Sequence, residues 1–182
     1  MQRRILNVGC GRETYGTDFV DKYPQRKEVI KCDIERQKLP FKSSTFDEVY
    51  SANVFEHLKN PNFALKEMIR VLKRGGRLVI KTDNAGFWLF HNVKSKQKTH
   101  YGGYETHGAY GKEDRHYALF TPHHVKNHLE ALGVKIIETK YYSDFDSLSI
   151  PIRIINTLLS KTRFRWMTYP KFLVVGIKNN KK

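Results

Sequence analysis

Short apolar runs separated by polar turns recur along the first half of the chain, and this pattern predicts β-strands. A longer segment with apolar residues at helical spacing begins at Asn60 and Pro61 and closes at Gly75 and Gly76. The predicted strands are residues 5–11, 17–21, 28–33, 46–53, 77–82, 134–139 and 172–177, and the predicted helices are residues 61–74, 122–132 and 150–159. Strands that alternate with helices or short loops indicate an open, mostly parallel α/β sheet.

The first apolar run stops at a glycine pair, Gly9 and Gly11, and this corner predicts a cofactor site. Glycine lets the backbone adopt conformations that a Cβ obstructs, and it lets a nucleotide-like ligand approach the main chain closely. The third glycine of the dinucleotide fingerprint is missing, because position 14 is Thr. Its absence disfavours a nicotinamide-dependent dehydrogenase.

Two further predicted strands end on carboxylates, the second at Asp21 and the third at Asp33. Because the carboxyl ends of parallel strands share one edge of a sheet, we expect both acids to lie near Gly9. A carboxylate at the tip of the second strand is positioned to accept hydrogen bonds from ribose hydroxyls, which makes Asp21 the candidate ribose ligand. The structural alternative for Asp21 is a turn aspartate before Tyr23 and Pro24.

Several motifs in a fixed order resemble those of the class I S-adenosylmethionine-dependent methyltransferases, in particular the methyltransferase type 11-like subgroup. The matching segments are 6–11 (LNVGCG), 33–35 (DIE), 39–41 (LPF), 44–49 (STFDEV), 56–57 (EH) and 70–78 (RVLKRGGRL). The resemblance covers residues 4–82, with a weaker continuation over 120–133. It implies a Rossmann-like α/β fold, with an open seven-stranded, mostly parallel sheet, an antiparallel last strand and helices on both faces. It also implies S-adenosylmethionine as the cofactor and methyl transfer as the reaction.

The resemblance assigns cofactor contacts position by position. The implied cofactor-binding residues are Asn7, Gly9, Cys10, Gly11, Asp21, Asp33, Ile34 and Asn53. The glycines would lie against the methionine part, Asp21 would bind the ribose, and Asp33 would accept from the adenine amino group with Ile34 on the ring. A rival alignment makes Asp33 the ribose ligand. Two positions depart from the family's usual pattern, because Asn7 stands where many members carry an acid and Arg12 where a small residue is usual.

Transfer of a methyl group to a hydroxyl or ammonium acceptor needs a base, and histidine is the candidate residue type. His57 is the first candidate because it follows the end of the fourth strand, and His116 is the second; a structural role stays open for each. Seven of the eight histidines lie between His91 and His128, yet the sequence has no HExxH motif and no close Cys/His pairing. The sequence therefore predicts no metal site.

Residues 84–120 break the strand pattern with glycines, aromatic residues and basic residues, and we expect them to form a substrate lid. Tyr101, Tyr104 and Tyr117 are its candidates for lining an acceptor pocket. Residues 143–170 combine an unusually apolar helix with a basic, aromatic stretch before the last strand. Such a segment is typical of a membrane-surface patch, a homodimer interface, a stacking site for nucleic acid, or a helix that merely covers the sheet.

The formal net charge is +15, and eight Lys and Arg residues but no acidic residue follow Asp146. A basic surface favours anionic partners, which include nucleic acid, an anionic membrane surface and a phosphorylated substrate. The alternative is a solvated, lysine-rich surface without a binding role, of the kind found in proteins from heat-adapted organisms.

With 182 residues, the chain is expected to form a single methyltransferase domain over 1–182. No apolar run approaches the length that spans a bilayer, and strand sequence begins by Ile5, so a cytoplasmic protein with reduced Cys10 and Cys32 is expected. The leading hypothesis is methyl transfer to an oxygen or nitrogen nucleophile, with a small polar or glycan-type acceptor favoured. The alternatives are a non-catalytic binding module with this fold and an RNA methyltransferase that uses the basic C-terminal surface.

Overall fold

The computed structural model describes residues 2–88, 116–143 and 150–179, the side chains of 150–152 excepted. The strands are β1 (Ile5–Val8), β2 (Asp18–Asp21), β3 (Ile30–Lys31), β4 (Phe46–Ala52), β5 (Leu72–Asp83), β6 (Val134–Tyr142) and β7 (Lys171–Lys178). The helices are α1 (Pro61–Val71), α2 (Pro122–Ala131) and α3 (Ile150–Ser160), with short 3₁₀ helices at Phe55–His57 and Arg165–Thr168. Each predicted strand and helix therefore has a counterpart. Of the predicted lid, residues 89–115 lie outside the described part of the chain, and Tyr101 and Tyr104 with them.

The seven strands form one sheet in the order β3-β2-β1-β4-β5-β7-β6. Pairing is parallel from β3 through β5, whereas β7 runs antiparallel to both of its neighbours, β5 and β6. This confirms the expected Rossmann-like α/β fold with an antiparallel last strand. The carboxyl ends of β1, β2, β3 and β4 consequently meet along one edge.

The main core lies on one face of the sheet, under α1 and α2. Leu78 of β5 and Val174 of β7 are fully buried there in the same cluster as Met68 of α1 and Leu129 of α2. Each such side chain contributes about 1.5–3 kcal/mol when it leaves water. The two helices are therefore held on the sheet by apolar contact rather than by their connections.

The opposite face carries a smaller core, which in the described residues consists of strand side chains alone: Tyr50, Ala52, Val79 and Val175. The segments 9–17 and 22–29, which join β1 to β2 and β2 to β3, contain no helix. A helical crossover between parallel strands needs a dozen or more residues, so these connections are too short for one. In the described residues the helices that pack on the sheet thus lie on one face, which differs from the expectation of helices on both.

A tyrosine from the first of these short connections covers part of the opposite face. The ring centroid of Tyr15 lies 4.8 Å from that of Tyr50, and the Tyr15 hydroxyl donates to Glu48 Oε1 at 2.6 Å. Burial, with Glu13 beside it, raises the pKa of Tyr50 to about 12. The Tyr50 phenol is therefore uncharged at neutral pH and acts as a wall of this face.

Helix α1 ends earlier than predicted. Val71 is its last residue, and Leu72 already has the extended angles φ −74° and ψ 135°. Gly75, with φ +71°, and Gly76 therefore lie inside β5, beside a shift in its pairing with β4, and do not close the helix. A glycine in a strand commonly marks such a bulge, since the extra residue needs backbone angles that other residues avoid.

The start of α1 is held by a carboxylate from another loop. Asn60 occupies the N-cap position, but its side chain makes no capping hydrogen bond. Instead, Glu35 Oε1 accepts from the main-chain N–H groups of Lys59 at 2.6 Å and Asn60 at 3.1 Å. A negative charge there satisfies donors without helical partners and interacts favourably with the helix dipole. Glu35 thus ties the loop after β3 to α1.

Candidate active site

The carboxyl ends of β1, β2 and β4 border a cavity of about 390 Å³. A cavity of roughly 300–1,000 Å³ is typical of a small-molecule or cofactor site. Its lining includes seven of the eight predicted cofactor residues and the first candidate base, namely Gly9, Cys10, Gly11, Asp21, Asp33, Ile34, Asn53 and His57. The parallel topology brings them together, because each follows a strand that ends at this edge.

The glycine corner after β1 uses conformations and space that only glycine has. Gly9 and Gly11 have φ angles of +70° and +51°, in the left-handed region. A Cβ on Gly9 would lie 2.3 Å from Val54 Cγ2, so the chain after β4 packs directly against the corner. The main chain of β1 therefore reaches the cavity without a side chain in between.

Asp21 holds the corner in shape from the tip of β2. Its Oδ2 accepts from the N–H of Gly11 at 2.7 Å, and its Oδ1 accepts from the N–H of Tyr23 at 2.7 Å. A carboxylate oxygen has two acceptor positions, so each oxygen can still accept a ligand hydroxyl. Asp21 is thus fixed in place by the main chain and suited to bind a diol.

His57 and His116 lie side by side next to the cavity, with ring centroids 4.7 Å apart. His57 belongs to the cavity lining and His116 does not. The Nδ1 atom of His116 lies 3.5 Å from Asp83 Oδ2, and the two side chains are only 9% and 7% exposed. A carboxylate beside one ring nitrogen favours the tautomer protonated there and leaves the other nitrogen to take a proton.

Glu56 brings a second buried carboxylate to the histidine pair. Its side chain is 1% exposed, and its Oε2 accepts from Thr82 Oγ1 at 2.7 Å. Its main-chain oxygen accepts from the N–H of Tyr117 at 2.7 Å, which holds the 116–118 segment against the 3₁₀ helix. The sequence analysis did not identify Asp83 and Thr82 as candidate site residues. Their position at the carboxyl end of β5 could have indicated them.

A family model described as "Methyltransferase domain" matches residues 8–80, which contain the glycine corner, Asp21, Asp33 and His57. This similarity supports a class I S-adenosylmethionine-dependent methyltransferase. The methyl donor of this family is S-adenosylmethionine.

Two curated methyltransferases share part of the sequence. One, an uncharacterised methyltransferase of Schizosaccharomyces pombe, is 32% identical over a region that covers 43% of this chain and 39% of that protein. The other, the malonyl-[acyl-carrier protein] O-methyltransferase of Herminiimonas arsenicoxydans, is 28% identical over 50% of this chain and 40% of that protein. The matches thus span about two-fifths of the length of each relative.

Among solved structures, a complex between the Haloferax volcanii methyltransferase activator Trm112 and a methyltransferase contains a chain with the same fold. Its TM-score is 0.64 at 17% identity, over 98% of this chain and 82% of that one. At this identity the match supports the fold alone. The Trm112 activator is a component of the Haloferax complex, and the match does not extend it to this chain.

In addition to the Asp21 carboxylate, the cleft contains a surface that suits an adenine ring. Ile34 is 7% exposed and forms an apolar wall of the cavity. Beside it, Asp33 Oδ1 accepts from the N–H of Glu35 at 3.1 Å, and Asp33 Oδ2 lies 3.4 Å from Lys22 Nζ. An apolar wall edged by a carboxylate matches a flat ring that carries an amino donor. Together with the diol-binding geometry at Asp21, these residues fit S-adenosylmethionine.

Asn53 ends β4 in an uncommon conformation. Its φ is +55°, which asparagine tolerates better than most residues, and its Oδ1 accepts from Lys171 Nζ at 2.8 Å. This contact ties the cavity rim to the start of β7. Lys171, a basic residue of the C-terminal part of the chain, therefore has a structural contact within the fold.

Asn7 lies outside the cavity lining. It is fully buried, and its Nδ2 donates to the main-chain oxygen of Tyr15 at 2.9 Å and to Glu13 Oε2 at 3.5 Å. This position favours an indirect role for Asn7, through the loop that follows the glycine corner. Direct contact with the cofactor stays a prediction.

Cys10 lines the cleft with an uncharged side chain. It is 2% exposed, and burial, with Asp21 as the second cause, raises the pKa of its thiol above the usual value. Since the thiolate is the nucleophilic form, a protonated Cys10 does not compete with the acceptor for the methyl group.

Glu56, His57 and His116 form a group of potential metal ligands. Their ligand atoms lie within 4.8 Å of one another. Zinc bonds of about 2.0–2.2 Å at tetrahedral angles would require those atoms to lie closer, at roughly 3.3 Å. The group would have to contract to hold such an ion.

Proposed function

We propose that this chain transfers a methyl group from S-adenosylmethionine to an oxygen or nitrogen of a small polar or glycan-type acceptor. The observation that carries the proposal is the histidine pair beside the cofactor cleft. His57 and His116 lie 4.7 Å apart by ring centroids, next to the buried carboxylates of Glu56 and Asp83.

The cleft residues bind and orient the donor. S-adenosylmethionine supplies an electrophilic methyl group on a positively charged sulfonium. The Asp21 carboxylate accepts from the ribose hydroxyls, while Asp33 and Ile34 hold the adenine ring. Gly9 and Gly11 leave the main chain open to the methionine part. Alignment of donor and acceptor accounts for much of the rate enhancement in a displacement with two substrates. It makes a bimolecular step effectively unimolecular, because both reactants are already held in the reactive geometry.

His57 is the proposed base, because it lines the cavity where the acceptor must enter. It takes the proton of an acceptor hydroxyl as the oxygen–methyl bond forms, or the proton of an ammonium before its nitrogen attacks. The methyl–sulfur bond breaks in the same displacement, and S-adenosylhomocysteine is the leaving group. Asp83 and Glu56 stabilise the positive charge that the histidine pair then carries. Asp83 is a positioning residue in this scheme, since its contact is to His116 and not to the acceptor.

An aromatic side chain at the mouth of the cavity supports a small, ring-shaped polar acceptor. Tyr117 lines the cavity and is 41% exposed, and Lys59 Nζ lies 4.8 Å from the centroid of its ring. An aromatic face packs on the apolar side of a ring, and an ammonium group beside it binds hydroxyl or anionic oxygens. Such a pair suits a glycan-type acceptor.

Calorimetry tests the cofactor part first. The protein should bind S-adenosylhomocysteine, the demethylated product, and Asp33→Ala should weaken that affinity. Absence of binding by the folded protein overturns the proposed activity.

Labelled methyl transfer then tests the acceptor. Pools of nucleotide sugars, oligosaccharides, small phenols and amines, and total RNA would be incubated with methyl-labelled S-adenosylmethionine. Label in the sugar or small-molecule pools supports the proposal. Label confined to RNA, with activity that falls steeply as salt is raised, makes the chain an RNA methyltransferase and overturns the acceptor class. Cofactor binding without transfer to any pool favours a binding module.

A further inference from the structure

Large apolar side chains are exposed together in and after α3. They are Ile154 (56%), Ile155 (40%), Leu158 (63%), Phe164 (42%) and Trp166 (39%), which we call the α3 patch. Ile154 and Leu158 have the highest exposure of any large apolar side chain in the described residues. They lie one helical turn apart, and Ile155 is three residues from Leu158, so the three share one helix face. A contiguous exposed apolar face of this kind indicates an interaction surface.

Four basic residues lie close in sequence to the residues of the α3 patch. Arg153, Lys161, Arg163 and Arg165 are exposed, and within the described part of the chain none of them forms an ion pair. Lys178 differs, because its Nζ donates to two main-chain oxygens of the fold and is thus used internally. The four exposed cations are therefore available to an anionic partner.

The patch is joined firmly to the end of β5. Trp166 lies so close to Gly86 that a Cβ there would be 2.1 Å from the Trp166 ring, and Asn84 Nδ2 donates to the Trp166 main-chain oxygen at 3.0 Å. Trp88 Nε1 donates to Asn156 Oδ1 of α3 at 2.8 Å. The exposed side chains consequently belong to a fixed surface, adjacent to the strand end that carries the Asp83 carboxylate.

We propose that the α3 patch docks on the surface of an anionic lipid bilayer. Aliphatic side chains gain free energy in the acyl region, while Lys and Arg at the same level bind the headgroups. Aliphatic residues dominate the most exposed part of the patch, which favours a bilayer over nucleic acid, because nucleic-acid surfaces rely on aromatic stacking and phosphate contacts. Among the helices that the structure describes, none has the length and apolar character of a membrane span. Docking would bring the cleft close to the membrane.

Sedimentation with vesicles tests this proposal without any cofactor, so its outcome is separate from that of the methyl-transfer assay. Vesicles of phosphatidylcholine alone and of phosphatidylcholine with phosphatidylglycerol are mixed with the full chain. Binding is expected on the anionic vesicles and should weaken between about 0.1 M and 1 M salt, where the Debye length falls from about 10 to 3 Å. Equal binding to both vesicle types, or none to either, overturns the proposal.

Two variants separate the apolar and the charged contributions. Ile154→Ser with Leu158→Ser should weaken vesicle binding by about tenfold or more, because each side chain loses its transfer into the acyl region. Arg163→Gln with Arg165→Gln should weaken it by about fivefold per charge. Both pairs lie on the surface, and circular dichroism checks that the variants remain folded.

Matched controls come from another surface of the chain. Ile137 on β6 is 54% exposed, close to the value for Ile154, and Lys135 and Lys140 are exposed on the same strand. Ile137→Ser and the Lys135→Gln, Lys140→Gln pair should leave vesicle binding unchanged. An equal loss in these controls means that binding is not localised to the patch. If a single-stranded RNA oligonucleotide binds the wild type while anionic vesicles do not, the patch serves nucleic acid and the proposal is wrong.

Discussion

The Nδ1 atom of His116 lies 3.5 Å from Asp83 Oδ2, which joins the last part of the predicted lid to the carboxyl end of β5. The contact is buried, and His57 from the 3₁₀ helix after β4 packs against the same imidazole ring. Three segments that are distant in the sequence thus build one group of proton-binding side chains at the cofactor cleft.

Replacement of His57 by Asn should lower kcat for methyl transfer by about 10²–10⁴-fold, the range for loss of a general base. Affinity for S-adenosylhomocysteine should change little, because the adenosyl-binding residues remain. Steady-state kinetics and calorimetry measure the two quantities. His123→Asn, at an exposed position on α2, is the matched control and should keep full activity. A normal kcat for His57→Asn would contradict the role of His57 as the base and would indicate that His57 is a structural residue.

Asp83→Asn should lower kcat with little change in cofactor affinity, and by less than the loss of His57, because Asp83 acts through His116. Asp83→Glu should restore part of the rate, since a carboxylate is again present. The comparison distinguishes a positioning role from a purely structural one, in which thermal stability and cofactor affinity would fall together with kcat.

Gly9→Ala should weaken S-adenosylhomocysteine binding and destabilise the fold. The new Cβ would lie 2.3 Å from Val54 Cγ2, at a φ of +70° that alanine adopts at a cost. Gly133→Ala is a matched control, because Gly133 has φ +78° but no heavy atom lies within 4 Å of the place that a Cβ would take. The control should cost about 1 kcal/mol of unfolding free energy and leave cofactor affinity intact. Equal effects of the two substitutions on affinity would contradict the packing argument.

Glu67 should make the unfolding free energy depend on pH below neutrality. Hydrogen bonds from Arg70, at 2.8 Å to each carboxylate oxygen, are the main cause that holds the pKa of Glu67 below its usual value. The main-chain N–H of Leu39 also donates to Oε2, at 2.9 Å. A depressed folded-state pKa means that this stabilisation is complete above the unfolded value of 4.5 and is lost as the pH falls through the folded value.

Glu67→Gln should therefore cost about 1–3 kcal/mol at pH 7, and the difference from the wild type should shrink as the pH falls below about 4.5. Denaturant unfolding at a series of pH values measures both effects. Glu130→Gln, at an exposed position on α2, should leave the pH profile as it is in the wild type. A difference that stays constant from neutral to acid pH would show that the charge of Glu67 does not matter.

Methyl transfer should survive removal of divalent cations. We expect activity to be unchanged by EDTA, and purified protein to hold less than one equivalent of any transition metal by mass spectrometry. The three potential ligands Glu56, His57 and His116 make this a real test. Loss of activity on chelation, with recovery on addition of one metal, would reassign the histidine pair from proton transfer to metal binding.

The pattern of apolar runs and turns was sufficient to predict the strands and their mostly parallel arrangement, whereas the antiparallel last strand was implied by the family resemblance. Strand sequences encode burial locally, and the ends of parallel strands must share one edge, so Gly9, Asp21, Asp33 and Asn53 come together without further information. The helix-free connections after β1 and β2 can also be read from the sequence, because both segments are too short for a helical crossover.

Tertiary structure decided the features that depend on which distant groups meet. Gly75 lies in a bulge of β5 and does not end α1, because pairing with β4 outweighs the local signal to stop a helix. Glu35, and not the Asn60 side chain, holds the start of α1, because its carboxylate reaches the N–H groups of Lys59 and Asn60 from a neighbouring loop. The Asp83 contact to His116 likewise has no local signature. A sequence determines by itself what short-range periodicity and chain connectivity impose, whereas side-chain partners far apart along the chain are selected only when the fold packs them together.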